Sequence, residues 1–458
     1  MKAKIKKLLA ELNNFARGKN ITAEYLLHAE KSNLIRLANS AVSLNTSEEL
    51  VKLIVTSRRG RRAGTYSITT DLSAIDRMKS AIVSADEIAQ SADEVNYDVT
   101  LTPMTQLPDD DVNFDDALVG MNSSEKLDFI NKAVGTLETD KIKLSGIFST
   151  GAVWEAVANT LSESVLFHSV SDGQISLELT HSELKWEIAA TQSAISKSDL
   201  NPEKIQSQLS TLLNIYQNTS PEIIKTGKYD IILSGEALAE LIGMMEYIGF
   251  SGGLFKRKMS CLRDEHLGKK IFDDKLTIVD DPAVRETFPS VFDYNGNQRS
   301  KFTFVENGVF KQFMWDRDSA DEFNEKETGH DVSGLSTVIS SGNELVSSIN
   351  DIPENKELTL FIPHLHYMNI VNMTEGIITA CSRFGALIFD KENKIRVPFN
   401  FRLTDNFFNI FNDIEWISNE TVAVNTSNSY GMRSPAAAFV PKFIKLKNIS
   451  ITHVNKSF

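Results

Sequence analysis

Glu246 is the residue whose type and position most suggest acid–base chemistry. It lies in the segment MEYIGF, residues 245–250, inside a longer stretch, residues 234–253, that has the pattern of one amphipathic helix. Apolar residues recur there at helical spacing, and Ser234 is a favourable N-cap. A glutamate on such a helix can act as a general base towards a metal-bound water. The plainer interpretation is a glutamate that hydrogen-bonds in a cleft or faces solvent.

Two histidines form a second candidate site. His364 and His366 stand two apart in FIPHLHYMN, on a predicted strand. Alternate residues of a strand share a face, so the pair could hold a metal ion. His330, followed by Asp331, and the cluster at residues 264–266 are candidates for further ligands. A His-x-His pair alone is a weak signal, and surface or hydrogen-bonded histidines are the favoured interpretation.

Charge and composition limit the classes of function. The net charge is −13, which disfavours broad contact with nucleic acid, since such contact needs a basic face. The local exception is a predicted turn that carries four arginines, for which a solvated turn is favoured over a phosphate or acidic-peptide contact (Arg58, Arg59, Arg61 and Arg62). The sequence contains no nucleophile elbow, P-loop or dinucleotide-binding glycine pattern.

The cysteines and the apolar runs indicate the cellular compartment. The two cysteines, Cys261 and Cys381, lie far apart and form no CxxC, as in proteins of a reducing compartment. No apolar run reaches membrane-spanning length. The basic N-terminal stretch has no long apolar core or cleavage site, so it is not expected to be a secretory signal. It is predicted to be a helix with Leu8, Leu9, Leu12 and Phe15 on one face. We therefore expect a cytoplasmic protein without a membrane role.

Elements that could position these residues divide the chain into three predicted parts. Residues 1–100 form an N-terminal α+β domain, residues 101–226 a middle α+β segment packed with it, and residues 227–458 a β-rich C-terminal domain. Strands are predicted on either side of a turn at residues 171–174. The predicted fold class is α+β, with N-terminal α/β segments followed by a strand-rich, barrel-like C-terminal domain that holds one central helix.

Several short motifs resemble one known family. They are IRLANSAVSLN and GRRAGTYS near the N-terminus, then LTIVDD, FDYNG and VENGVF, and the helical segment at residues 245–250. Together these are similar to the TldD/PmbA family, also called modulators of DNA gyrase. The resemblance covers roughly residues 20 to 455. It is closest after residue 227.

The resemblance implies that this helix corresponds to the family's zinc-binding helix but lacks the zinc ligands. In the TldD branch this helix carries a zinc-binding His-Glu-x-x-x-His motif, whose spacing needs a glycine-bearing distortion. Here Met245 and Phe250 fall on the two histidine positions, whereas Glu246 and Gly249 match the family pattern. The stretch that matches the family's third ligand, residues 425–435, contains no cysteine. The resemblance is therefore to the PmbA/TldE branch, with no cofactor, no metal site and a vestigial Glu246.

In this interpretation the chain is the non-catalytic subunit of a peptidase, a pseudo-enzyme. The resemblance implies a heteromer with a TldD-like zinc-bearing subunit, or a homodimer, that degrades or processes unfolded or modified peptides. Two alternatives stay open. One is a stand-alone metallopeptidase whose site is rebuilt from His364, His366 and His330. The other is a modulator that acts on DNA gyrase or nucleic acid.

Overall fold

A seven-stranded sheet forms the N-terminal part of the computed structural model, which describes residues 1–331, 334–352, 357–392, 394–427 and 431–456. The strand order is β3-β2-β1-β5-β6-β4, with β7 also on β6. Neighbours run antiparallel except β4, which is parallel to β6. The strands are β1 (Ala23–Ala38), β2 (Ala41–Arg59), β3 (Arg62–Thr70), β4 (Asp110–Asn113), β5 (Ile142–Asn159), β6 (Val165–His181) and β7 (Glu187–Ala194).

Helices cover one face of this sheet, because the odd-numbered residues of β1 that point towards them are apolar. Tyr25 and Leu27 lie under the first two helices, and Ile35 lies under the later pair. Residues of the other parity, His28 and Glu30, are polar and contact other parts of the chain. The helices of this part are α1 (Lys2–Gly18), α2 (Ile75–Ser91), α3 (Asp116–Val119), α4 (Ser123–Val134) and α5 (Pro202–Asn218).

The C-terminal part holds two further sheets. Their strands are β8 (Pro221–Glu222), β9 (Gly227–Ser234), β10 (Ile278–Asp280), β11 (Phe302–Glu306), β12 (Val309–Phe310), β13 (Thr337–Ile339), β14 (Thr359–Ile362), β15 (His364–Asn372), β16 (Ile377–Arg383), β17 (Leu387–Phe389), β18 (Ile395–Pro398), β19 (Phe401–Asn406), β20 (Ile414–Ile417), β21 (Thr421–Asn425), β22 (Ala437–Pro441) and β23 (Phe443–Val454). The helices are α6 (Gly235–Met245), α7 (Gly252–Lys256), α8 (Arg317–Phe323) and α9 (Phe407–Ile410). Short 3₁₀ turns lie at Lys197–Asp199, Asp264–His266, Arg285–Thr287 and Ile349–Asp351.

Helix α6 lies between the two C-terminal sheets. The six-stranded sheet has the order β12-β11-β10-β13-β22-β21, and the ten-stranded sheet has the order β15-β16-β19-β23-β9-β14-β17-β18-β8, with β20 on β23. Leu238, Leu241 and Ile242 are buried in one apolar cluster with residues of both sheets. The strand-rich C-terminal part with a central helix is confirmed. Within the described residues, however, neither sheet closes into a barrel.

The turn expected at residues 171–174 was wrong. These residues lie inside β6, where Ser171 pairs with Ala152 and Asp172 pairs with Gly151. The polar run looked like a turn, but Ser171 and Asp172 are buried. The hydroxyl of Ser171 donates to the carbonyl of Ile195, and Asp172 accepts from Arg433. Distant partners therefore satisfy side chains that local sequence would place in solvent.

The predicted boundaries at residues 100 and 226 stay a prediction. Strands from residues 1–100 and from residues 101–226 share the seven-stranded sheet, where β1 pairs with β5. In the part of the chain that the structure describes, no helix is long and apolar enough to cross a membrane.

Candidate functional site

The helix that carries Glu246 is distorted where the sequence predicted it. The side chain of Ser234 caps α6 by accepting from the amide of Ala237 at 3.3 Å. After Met245 the chain forms a single π-helical turn, Glu246–Phe250, which contains Gly249. A π turn bonds residues five apart, so it changes which side chains share a face. This is the distortion that a His-Glu-x-x-x-His site would need.

Apolar packing surrounds both positions that the resemblance aligns with zinc ligands. Met245 is 1% exposed and Phe250 is 0% exposed, within one core cluster. The ring of Phe250 stacks on Phe304, with centroids 4.4 Å apart and planes 5° from parallel. Phe310 lies on the same stack at 6.1 Å. These positions therefore stabilise the core and offer no ligand for zinc.

Glu246 is buried in contact with strand β13. It is 7% exposed, and the hydroxyl of Thr337 donates to its carboxyl oxygen at 2.6 Å. The pKa of Glu246 is raised to about 8, chiefly by burial and also by the nearby charge of Asp280, although the Thr337 bond lowers it. At neutral pH the carboxyl is thus mostly protonated. A neutral carboxylic acid can donate a hydrogen bond but is a poor general base.

Asp280 is a functional candidate that the sequence prediction missed. Its carboxylate accepts from Arg299 Nη2 at 2.7 Å and from the amide of Ser336 at 2.7 Å, and His330 Nδ1 contacts its other oxygen. Burial alone would raise its pKa, but the contacts with His330 and Arg299 keep that pKa below its ordinary value. Asp280 is therefore an ionised, fully paired group beside the neutral Glu246. The motif LTIVDD drew attention to this position, but the residues that bond to Asp280 lie far from it in the sequence.

A small cavity, the central cavity, lies beside this cluster. Its volume is about 80 Å³, and Arg299, Ser336 and Asp331 line one side. Glu155 and His168 of the seven-stranded sheet line the other side. The cavity has room for a few water molecules but not for a peptide. It therefore marks the junction of the N-terminal sheet with the C-terminal part.

Arg433, in the stretch at residues 425–435 that the resemblance aligns with the family's cysteine ligand, is fixed to the N-terminal sheet. Residues 428–430 lie outside the described residues. Arg433 is buried and makes a two-pronged contact with Asp172, with both distances 2.7 Å. It also donates to the hydroxyl of Ser149 at 2.9 Å, and its amide donates to Glu30. A bidentate arginine–carboxylate pair thus holds Arg433 against the N-terminal sheet.

His28 extends the same network. Its Nε2 lies 2.7 Å from Glu30 and its Nδ1 lies 3.0 Å from Glu155. Burial alone would lower the pKa of His28, but the two carboxylates raise it to about 9. The charged ring therefore links two acidic side chains of β1 and β5. This buried ionic network orders the face that meets the C-terminal part.

The alternative histidine ligands lie in different surroundings. His330 contacts Asp280 beside the six-stranded sheet, whereas His364 and His366 lie on β15 at one end of the ten-stranded sheet. The rings of His364 and His366 both pack against Phe384. Among the residues with described positions, no group of three or more His, Cys, Asp and Glu side chains is arranged to hold a metal ion.

The turn with four arginines was expected to be solvated, but its arginines form ion pairs and hydrogen bonds within the chain. Gly60 and Arg61 form the bend between β2 and β3. Arg58 is buried and pairs with Glu24 and Asp318 at 2.7 and 2.8 Å. Arg59 pairs with Asp86 at 2.6 Å. Arg61 donates to the carbonyl of Val95 at 2.7 Å, and Arg62 donates to the carbonyl of Gln90 at 3.1 Å. All four arginines therefore bond within the chain, and Arg58 links the hairpin to α8.

Comparison with known proteins agrees with this architecture. In fold, 97% of the chain matches 100% of TldE from Thermococcus kodakarensis, with a TM-score of 0.81 and 18% identity. It also matches a candidate modulator of a DNA gyrase from Thermotoga maritima, with a TM-score of 0.75 and 15% identity over 98% of this chain and 100% of that chain.

A match to a family model places the C-terminal part in a metallopeptidase-like class of protein. Residues 226–453 match the PmbA/TldA metallopeptidase C-terminal domain. A metalloprotease TldD homolog of Buchnera aphidicola is 30% identical over 118 residues, which are 25% of this chain and 23% of that protein. The chain spans about a quarter of the length of the curated relatives it matches. The chain belongs to the TldD/PmbA family.

Proposed function

We propose that this chain is the non-catalytic, TldE-like subunit of a zinc-dependent peptidase that degrades or processes unfolded or modified peptides. The observation that carries the proposal is the packing of Phe250. Its ring is part of a buried aromatic stack with Phe304 and Phe310, at a position where a zinc-binding branch has histidine. A core stack of this kind would have to be rebuilt before the helix could hold a metal.

The polar groups near the helix support a structural role. Glu246 is neutral and bonded to Thr337, and Asp280 is already paired with Arg299 and His330. Among the described residues, neither carboxyl lies beside a group that would activate a water molecule. In the proposal, a TldD-type partner subunit supplies the metal and its ligands, and this chain shapes the substrate cleft and closes the assembly.

Strand addition is the proposed mode of peptide binding. A sheet edge offers unpaired backbone groups to an extended peptide, which then binds with little dependence on its sequence. Strand β15 is one such edge, at the end of the ten-stranded sheet. Tyr367 and Val371 on it are 70% and 59% exposed. These apolar side chains beside open backbone groups would suit an unfolded substrate.

The proposed compartment is the cytoplasm, where thiols stay reduced. The free thiols of Cys261 and Cys381 support that assignment. No specific observation favours a stand-alone histidine metal site or a nucleic-acid function over the subunit role. Those two readings remain alternatives.

Reconstitution tests the proposal. The chain would be purified alone and together with the TldD-type protein of the same genome, and degradation of a denatured peptide would be followed by mass spectrometry. We expect chelator-sensitive cleavage by the pair and none by this chain alone. Chelator-sensitive cleavage by the isolated chain, or failure of the two proteins to associate, would contradict the proposal.

A further inference from the structure

Four adjacent strands place ionisable side chains in one row. His366 on β15 lies opposite Cys381 on β16, Cys381 lies opposite Arg402 on β19, and Arg402 lies opposite His453 on β23. Directly opposed residues of neighbouring strands share a face of the sheet. The row therefore presents imidazole, thiol, guanidinium and imidazole groups side by side.

A cavity of about 510 Å³ covers this row, and we name it the basic cavity. Lys185 and Glu187, from the end of the β6–β7 connection, line it together with Arg383. Three permanent cations thus face one carboxylate in this cavity. Such a concentration is unusual in a chain whose net charge is −13.

The single carboxylate is already engaged. Arg383 donates from Nε to Glu187 at 3.0 Å, and its Nη2 lies 2.9 Å from the same oxygen. Among the described residues, Arg402 bonds to neutral groups, the hydroxyl of Thr379 at 3.2 Å and the carbonyl of Tyr367 at 3.5 Å. Within the described residues, neither Arg402 nor Lys185 has a carboxylate at ion-pair distance. Two cations beside the cavity are therefore left for a ligand.

We propose that the basic cavity binds an oxyanion, the carboxylate or phosphate group of a small ligand. Arg402 would contact the anion from the floor of the sheet, and Lys185 would contact it from the opposite wall. Guanidinium groups match both oxyanions through paired N–H donors. A metal ion fits the row less well, because the charge of Arg402 stands between Cys381 and His453.

Cys381 offers a reporter inside the cavity. It is partly exposed, and burial raises the pKa of its thiol although Arg402 and Arg383 oppose that effect. The other cysteine, Cys261, is buried in the core and serves as an internal reference. An anion seated over Arg402 would shield Cys381 from an alkylating reagent but leave Cys261 unaffected.

Calorimetric titration of the full chain tests the proposal. Inorganic phosphate and succinate would be titrated separately at low ionic strength, with Arg402→Gln as the test variant. The matched control is Arg36→Gln, which removes the same charge from an exposed residue outside the cavity. Loss of a charge-assisted contact should weaken binding about ten-fold in Arg402→Gln, and the control should bind like the wild type.

The two titrations distinguish the sources of the anion. Binding of phosphate alone identifies a phosphate site, binding of succinate alone identifies a carboxylate site, and binding of both identifies a general oxyanion site. N-ethylmaleimide labelling of Cys381, followed by mass spectrometry, should slow when the bound anion is present. The proposal is overturned if neither anion binds, if Arg402→Gln binds as tightly as the wild type, or if Cys381 labelling is unchanged at saturation.

Discussion

The hydroxyl of Thr337 lies 2.6 Å from the carboxyl of Glu246, which joins the distorted helix to strand β13. In a metal site that carboxyl would face an activated water. Here it is buried and mostly protonated at neutral pH, because its pKa is raised to about 8. The contact therefore makes Glu246 a neutral structural link between two elements of the core.

The free energy of unfolding should fall as the pH rises, because of Glu246. Its pKa is near 8 in the folded state against an ordinary value of 4.5, so the folded chain binds the extra proton between these limits. The free energy of unfolding should thus be greatest below pH 4.5 for this group and decline, by about 1.4 kcal/mol per pH unit, until the contribution is lost above pH 8. Glu246→Gln should remove this slope. Urea unfolding of both proteins from pH 5 to 8 measures it, and parallel pH dependences would refute the assignment.

Phe250→His tests how much the ring of Phe250, at a position that the resemblance aligns with a zinc ligand, contributes to the core. Replacing the stacked ring with a buried polar ring should lower the free energy of unfolding by about 3 kcal/mol. Met245→Leu, a volume-conserving change in the same cluster, should cost less than about 1.5 kcal/mol. Denaturant unfolding of the two variants gives the comparison. Equal, small losses would show that the stack with Phe304 contributes little.

Asp172→Asn tests the ion pair that holds Arg433 against the N-terminal sheet. Asp172 is buried, and the change leaves the guanidinium of Arg433 without its ion partner. Breaking a buried pair on one side should cost about 3 kcal/mol. Glu49→Gln is the control, since Glu49 pairs with Lys31 on an exposed strand and should change the unfolding midpoint little. If both variants unfold alike, the ion pair does not hold Arg433 against the sheet.

The sequence carried enough information to find the helix of the site. Ser234 predicted the start of α6, because capping is a local signal. The resemblance to the family's metal-binding helix implied the distortion at Glu246 and Gly249. Apolar residues at Met245 and Phe250 predicted the absence of zinc ligands there, and their burial gives a physical reason for those residue types. Local patterns of this kind can be predicted from the sequence, because they depend on residues within a single helix.

The long-range contacts could not be read from the sequence in this way. Asp280 finds Arg299 and His330 through the fold of the six-stranded sheet. The Arg433–Asp172 pair joins residues 261 positions apart in the chain, and it helps to place a polar, turn-like run in the middle of β6. Sheet closure was also beyond reach, because short strands with turns are compatible with a barrel and with two open sheets. Pairing across many residues decides such features.

Zinc content of the purified chain tests the central claim most directly. The chain would be incubated with zinc, desalted without chelator and analysed by elemental mass spectrometry, with the TldD-type partner treated in parallel. The account predicts that this chain retains only trace zinc while the partner retains a stoichiometric amount. Near-stoichiometric zinc on this chain alone, lost in His364→Gln or His366→Gln, would contradict the non-catalytic role and indicate a histidine metal site.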